Sequence, residues 1–274
     1  MTRRPLTAAL SRSALAGLIA VSAAACGHRE PTTDAERLAR GRELVQQVSA
    51  RLAAAPAVSV TTSEVREVVR ISGKKETLSQ TGVYTVRRPD RFYVRMTGGA
   101  GVESWYNGKT LTIASHPHKV FVQAPMPESV DRTLDVLAER YDMALPMGDL
   151  FYASAEKALL SDTATGGYAG TERVGDTRCV HLAFKDVGVD WELWLPEHGD
   201  SLPKRLKVVQ TQRTGRPMVD LTFTAWNLAP EISDATFVPK VPADYEGIAA
   251  VQRAAAVKNA TAASLPQPTA TDKK

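Results

Sequence analysis

Apolar and polar side chains alternate through two long stretches of the chain, and three shorter stretches repeat apolar residues every three or four positions. The first repeat is helical: Leu38, Val45, Val48 and Leu52 share one face across Asp34 to Ala55, with Asp34 placed to cap the start and Pro56 to stop the run. Strands are predicted next, over Val58 to Ile71, Glu76 to Val86, Arg91 to Met96, Val102 to Tyr106, Thr110 to Ala114 and Val120 to Gln123. Phe92, Val94 and Met96 alternate with Arg91, Tyr93 and Arg95, so that strand shows one face to an apolar interior and the other to water, which favours an antiparallel sheet. Asn107-Gly108 between two such runs predicts a hairpin closed by a two-residue type I′ turn. Ser129 then caps a helix whose Val130, Leu134, Leu137 and Tyr141 form a stripe, and Pro146 and Gly148 break it before a short helical stretch from Asp149 to Leu160. Alternation resumes over Tyr168 to Val174, Arg178 to Lys185, Asp190 to Leu195, Lys204 to Gln212 and Met218 to Asn227, with Thr214 to Pro217 turning between the last two.

The pattern adds up to a mainly β (α+β) domain, 34–248, of about eleven strands with three helices lying on them. A chain of this size buries about 70% of its unfolded surface, enough for one core. After Tyr245 the chain turns Ala-, Thr- and Pro-rich, so 249–274 reads as a disordered tail.

The amino terminus changes the picture. Arg3 and Arg4, with no acid before the apolar segment Ala14 to Ala25, make 1–25 a secretory signal peptide, too short to span a bilayer. Ala23-Ala24-Ala25-Cys26 resembles the lipobox of bacterial lipoproteins, with Ala23 where that family usually has Leu, and the resemblance implies a lipidated Cys26 on a tether, 26–33. Ala23-x-Ala25 also satisfies the ordinary signal-peptidase pattern, which would release a soluble periplasmic protein. Gly27 stands where lipoproteins kept at the inner membrane often have Asp, which leans towards the outer membrane. Several acyl chains, at about 0.8 kcal/mol per buried methylene, make a durable anchor.

Charge adds little. The chain has 34 Lys plus Arg against 30 Asp plus Glu, and losing Arg3, Arg4 and Arg12 with the signal leaves 31 against 30. No basic stripe interleaved with aromatics points to nucleic acid. With Cys26 acylated, Cys179 has no partner, and its place in an alternating run makes it a half-buried, inert thiol.

Motifs for catalysis are missing. His116-Pro117-His118 has no third ligand nearby and reads as a solvated loop, with no metal or cofactor implied. There is no Gly-x-Ser-x-Gly elbow. Gly98-Gly99-Ala100-Gly101 lies between strands and leads into no helix, so it is a flexible hairpin and not a phosphate cradle. Asp131 and Asp135 on the middle helix read as a solvated face. No catalytic residue is assigned and the chain is not read as an enzyme.

Several short stretches together carry a family likeness: Arg87-Arg88-Pro89-Asp90-Arg91-Phe92, Trp105-Tyr106-Asn107-Gly108-Lys109-Thr110-Leu111, Trp191-Glu192-Leu193-Trp194-Leu195-Pro196, Leu202-Pro203-Lys204-Arg205-Leu206, Phe223-Thr224-Ala225-Trp226 and Phe237-Val238-Pro239. With the order of elements they resemble the LolA-like fold of periplasmic lipoprotein carriers, and especially the DUF2092 family of predicted periplasmic proteins. The resemblance implies a strongly curved antiparallel sheet, an incomplete barrel whose mouth is plugged by helices that can part to admit a lipid or the acyl chain of a lipoprotein. The residues whose alternation places them on its inner face, and which would line such a cavity, are Phe92, Val94, Met96, Leu182, Phe184, Trp191, Leu193, Val219, Leu221 and Phe223. The alternative is an envelope module with a filled core that recognises another envelope protein, for which Tyr93, Trp194 and Trp226 on the outer face would be the contacts.

Overall fold

The computed structural model describes residues 30–70, 72–99, 101–143, 145 and 147–250. The stretch 1–25 expected to be a signal peptide, Cys26, and residues 251–274 of the expected tail lie outside the described residues.

Helix α1, Asp34–Ala53, starts one residue earlier in its capping than the sequence pattern suggested. Thr33, not Asp34, is the cap: its hydroxyl accepts from the Glu36 amide at 3.2 Å while the Glu36 carboxylate accepts from the Thr33 amide at 3.0 Å. Six strands follow as a meander: β1 Ala57–Val69, β2 Lys75–Arg87, β3 Arg91–Gly98, β4 Val102–Tyr106, β5 Thr110–Ser115 and β6 Val120–Pro125. Helix α2, Val130–Tyr141, is capped by Ser129, and a 3-10 turn, Gly148–Phe151, leads into the short α3, Ala155–Leu159. A second meander comprises β7 Thr165–Val174, β8 Thr177–Asp186, β9 Val189–Pro196, β10 Arg205–Gln210 and β11 Met218–Asn227. After a 3-10 turn at Asp234–Phe237 comes β12, Glu246–Ile248.

All 12 strands form one curved sheet in the order β12-β6-β5-β4-β3-β2-β1-β11-β10-β9-β8-β7. The two meanders join where β1 pairs with β11, and the sheet ends at β12 and β7 without closing. Every neighbouring pair is antiparallel except β12 on β6. The incomplete barrel with three helices is therefore present, with one strand more than the alternation revealed. The Asn107-Gly108 hairpin is also present, but its turn differs from expectation. Of the pair, Gly108 alone has positive φ, at 88°, and the Asn107 side chain accepts from the amides of Lys109 and Thr110 at 3.1 and 2.9 Å, making a three-residue loop.

Two helices cover the concave face in different ways. Gly41 of α1 lies against Gly167 of β7 so closely that a Cβ on Gly41 would come within 2.7 Å of the Gly167 Cα and 2.8 Å of the Phe184 ring. α1 is also tied to the α3 region, by Gln46 to Glu156 at 2.8 Å and Arg42 to the Ser161 carbonyl at 2.9 Å. Helix α2 lays Val130, Leu134 and Leu137 on the other half of the sheet. Asp131 and Asp135, expected on a solvated face, instead hold the following segment: Asp131 accepts from the Ala153 amide at 3.1 Å and Asp135 from the Tyr152 hydroxyl at 3.0 Å.

A strap from the end of β11 crosses the outer face to the β6 edge, burying Phe237. The Arg87 guanidinium lies 4.9 Å from the Phe237 ring centre, and Lys119 pairs with Asp244 at 2.9 Å. His116 is not simply solvated: its ring nitrogens meet the Tyr245 hydroxyl at 2.7 Å and the Glu103 carboxylate at 2.9 Å, and Glu103 also accepts from Tyr93 at 2.5 Å. His116→Ala should lower the melting transition only slightly, since each part-buried hydrogen bond is worth about 1 kcal/mol, yet speed limited tryptic cleavage after Lys240 in the loosened strap.

Candidate functional site

The site follows from the parity of the strands. Inward-facing Phe92, Val94 and Met96 of β3, Val102 and Ser104 of β4, and Leu111 and Ile113 of β5 line an apolar cavity of about 260 Å³, roofed by Leu137 of α2 and by Met143 and Leu145 just beyond it. A second cavity, about 290 Å³, shares Leu111, Ile113, Leu137 and Met143 and continues past Val122, Ala124 and Met126 to Ile248, Ala249 and Ala250. The end of α2 thus stands as a partition between two apolar spaces. It is finished by Asp142 in the left-handed conformation at φ 52°, after which Met143 is 40% exposed. Ala249 and Ala250, assigned to a disordered tail from sequence, belong to this wall.

The inner face is not apolar throughout, and the sequence reading missed this. Along β1 the inward positions run Val58, Val60, Thr62, Glu64 and Arg66, and the Glu64 side chain is fully buried. Its carboxylate accepts from Gln80 at 2.9 Å and from the Tyr84 hydroxyl at 3.3 Å, and pairs with the Arg66 Nε at 2.9 Å. These donors replace the water that a buried carboxylate loses. Burial, with the Glu64 charge beside it, pushes the Tyr84 phenol far above its ordinary range. The missed signal was the acid on the same parity as Val58 and Val60, opposite Gln80 in the β1–β2 register.

Arg66 and Leu145 also border a wider, more polar cavity of about 1060 Å³ that runs between β1, β11, β10 and β9, with Val189, Val208, Val219, Arg70, Arg213 and Asp149 in its wall. Asp149 meets solvent there, but the protein around it raises its pKa to about 6. The folded state therefore holds a proton that the unfolded chain, near 3.8, has lost, so this group favours folding below about pH 4 and that contribution disappears as pH rises to about 6. Asp149→Asn should accordingly gain stability over the wild type between pH 4 and 6 and hold a constant advantage above, as thermal melts across pH will read.

The residues singled out from sequence divide between these spaces and solid core. Phe92, Val94 and Met96 line the first apolar cavity and Val219 the wide one. Leu182, Phe184, Trp191, Leu193, Leu221 and Phe223 are buried in the packed core, with Phe184 stacked on Trp191 at 4.5 Å and lying against α1. The Trp191 indole nitrogen is buried with no hydrogen-bond partner among the described residues. Cys179 is fully buried, further than the half-burial expected, and burial raises its thiol pKa, which keeps it unreactive. Among the described residues no group of three His, Cys, Asp or Glu side chains is placed to hold a metal ion, and no helix is long and apolar enough to cross a membrane.

The family model for predicted periplasmic proteins, DUF2092, matches residues 41–251. No curated protein matches the chain. Matching solved structures include an uncharacterized conserved protein from Thermus thermophilus, with 13% identity and a TM-score of 0.45 over 76% of this chain and 98% of the other. A LolA superfamily protein from Nitrosomonas europaea matches at 10% identity and a TM-score of 0.36, covering 73% and 98%. The MucA/MucB complex of Pseudomonas aeruginosa contains a chain matched at 14% identity and a TM-score of 0.32, covering 76% and 63%.

Proposed function

The chain belongs to the DUF2092 family of predicted periplasmic proteins, and from that premise we propose that it is a binding module that holds or passes on a hydrophobic or amphiphilic ligand, a lipid or the acyl chain of a lipoprotein. The observation that carries this is the pair of apolar cavities, about 260 and 290 Å³, that share four lining residues and are divided by the end of one helix. Both cavities are lined mainly by apolar side chains, a surface that favours hydrocarbon over water as its occupant. Strand pairing does not depend on α2: its first turn is pinned by the Val130 amide donating to the Pro89 carbonyl at 2.9 Å, while its far end meets the sheet through side chains such as Leu134 and Leu137, so that end can lift and join the two spaces without breaking the ladder.

Titration of the full chain with an uncharged naphthylamine probe, which fluoresces in apolar surroundings, tests the reading. Saturable enhancement at about one probe per chain is expected, and no enhancement overturns it. A protein-recognition module with a filled core is the alternative. The open cavities weigh against it, and so do the expected contacts: Trp194 is buried, stacked on His181 at 4.6 Å, with the Arg205 guanidinium 4.6 Å from its ring, while Trp226, expected on the outer face, is turned by the β1–β11 bulge to sit opposite inward-facing Val60, where it packs on the Phe223 ring at 5.0 Å and donates to the Pro203 carbonyl at 2.9 Å.

The module is tethered in this reading by lipid on Cys26 at the periplasmic side of a membrane, the outer membrane by the identity of Gly27. Cys26→Ala should move the protein from the membrane fraction to the soluble periplasmic fraction, and an unchanged distribution contradicts the tether.

A further inference from the structure

The inner face of β1 carries, next to Glu64, a guanidinium that is held at one atom and open at two. Arg66 pairs through Nε with the buried Glu64, and its terminal nitrogens have no hydrogen-bond or ion-pair partner among the described residues. Its side chain is 29% exposed, and the residue borders both the apolar cavity and the wide polar one. Resting on the binding reading above, we propose that Arg66 is a head-group subsite: it receives the carboxylate or phosphate oxygens of a single-chain amphiphile whose hydrocarbon lies along Phe92, Val94 and Met96.

Three features fit that assignment. A planar fork with two unengaged N–H₂ groups matches the paired oxygens of a carboxylate or phosphate. Glu64, itself fixed by Gln80 and Tyr84, holds the fork in one orientation, so little freedom is lost when an anion docks. The charges facing the subsite are also mostly settled: Arg70 pairs with Glu76 at 2.6 Å, Glu67 with Lys75 at 2.8 Å, and Arg213 with Asp142. Asp149, the remaining acid in that wall, has its pKa raised by the surrounding protein and so repels an incoming anion less as pH falls towards 6.

Displacement of the naphthylamine probe from the full chain by hexadecanol, palmitate, hexadecyl phosphate and inorganic phosphate separates head from tail. The two anionic amphiphiles should displace it at concentrations about tenfold lower than hexadecanol. Inorganic phosphate should not displace it, and displacement by phosphate alone would assign the subsite to a free anion and overturn the amphiphile. In Arg66→Gln the anionic advantage should shrink to within about twofold while hexadecanol is unaffected, and in Arg66→Lys it should be intermediate. Equal displacement by all three amphiphiles in the wild type, or an undiminished advantage in both variants, overturns the subsite and leaves the cavity reading standing. Absence of probe binding overturns both. Should Arg66→Gln fail to fold, Arg66→Lys against wild type carries the comparison, and an unchanged preference there overturns the proposal.

Discussion

Gly167→Ala should destabilise the protein by about 3 to 5 kcal/mol, a large loss for the addition of a single methyl group. Gly167 has a φ of 126°, outside the regions that side chains tolerate, and its Cβ would fall 2.1 Å from the Arg37 carbonyl oxygen and 2.7 Å from the Leu38 Cα. Backbone strain of this kind costs about 1 to 3 kcal/mol, and forcing a helix away from a packed surface costs a similar amount. Both obstacles are main-chain atoms of α1, so no side chain can rotate to relieve them. Gly41→Ala on the opposite side is a finer test. Alanine gains about 1 kcal/mol in helix propensity, but its methyl group meets the Gly167 Cα at 2.7 Å, so a net loss of about 1 to 2 kcal/mol is expected. Urea denaturation of the two variants will read both values, against a total stability of about 5 to 15 kcal/mol.

Ile113→Trp should weaken binding of the naphthylamine probe by roughly a hundredfold while leaving the melting temperature unchanged or higher. Ile113 borders both apolar cavities, so an indole there grows into empty space and not into packed atoms. It would exclude the equivalent of three or four methylenes of ligand, about 3 kcal/mol at 0.8 kcal/mol each. The same substitution at a packed inner position such as Leu182, which is completely buried, should instead cost stability. The contrast separates cavity wall from core, which alternation alone does not do.

That contrast marks how far the sequence was legible. Period-two alternation and turn residues located eleven of the strands, because each of those strands buries one face and the pattern records it locally. β12 was missed because three residues bearing Glu246, Gly247 and Ile248 carry no alternation; they are a strand only because β6 offers them a parallel edge. Parity placed Phe92, Val94 and Met96 on the same face as Leu182 and Phe184. What lies over that face is decided elsewhere: Gly41 and Gly167 bring α1 down onto Phe184, whereas α2 leaves space above Val94. Glu64 went unrecognised as an inner residue because its burial depends on Gln80 and Tyr84, which reach it only through the register of β1 on β2. The roles of Asp131, Asp135 and His116 were hidden for the same reason, since their partners come from other elements.

Native mass spectrometry of the Cys26→Ala protein, released gently from bacterial envelopes, tests most directly whether the inner face holds a hydrocarbon ligand, because that variant removes the anchor's own lipid mass. A discrete, lipid-sized increment above the polypeptide mass is predicted, and it should be missing when Ile113→Trp is combined with it. The bare polypeptide mass in every preparation, together with no probe binding, would contradict the account.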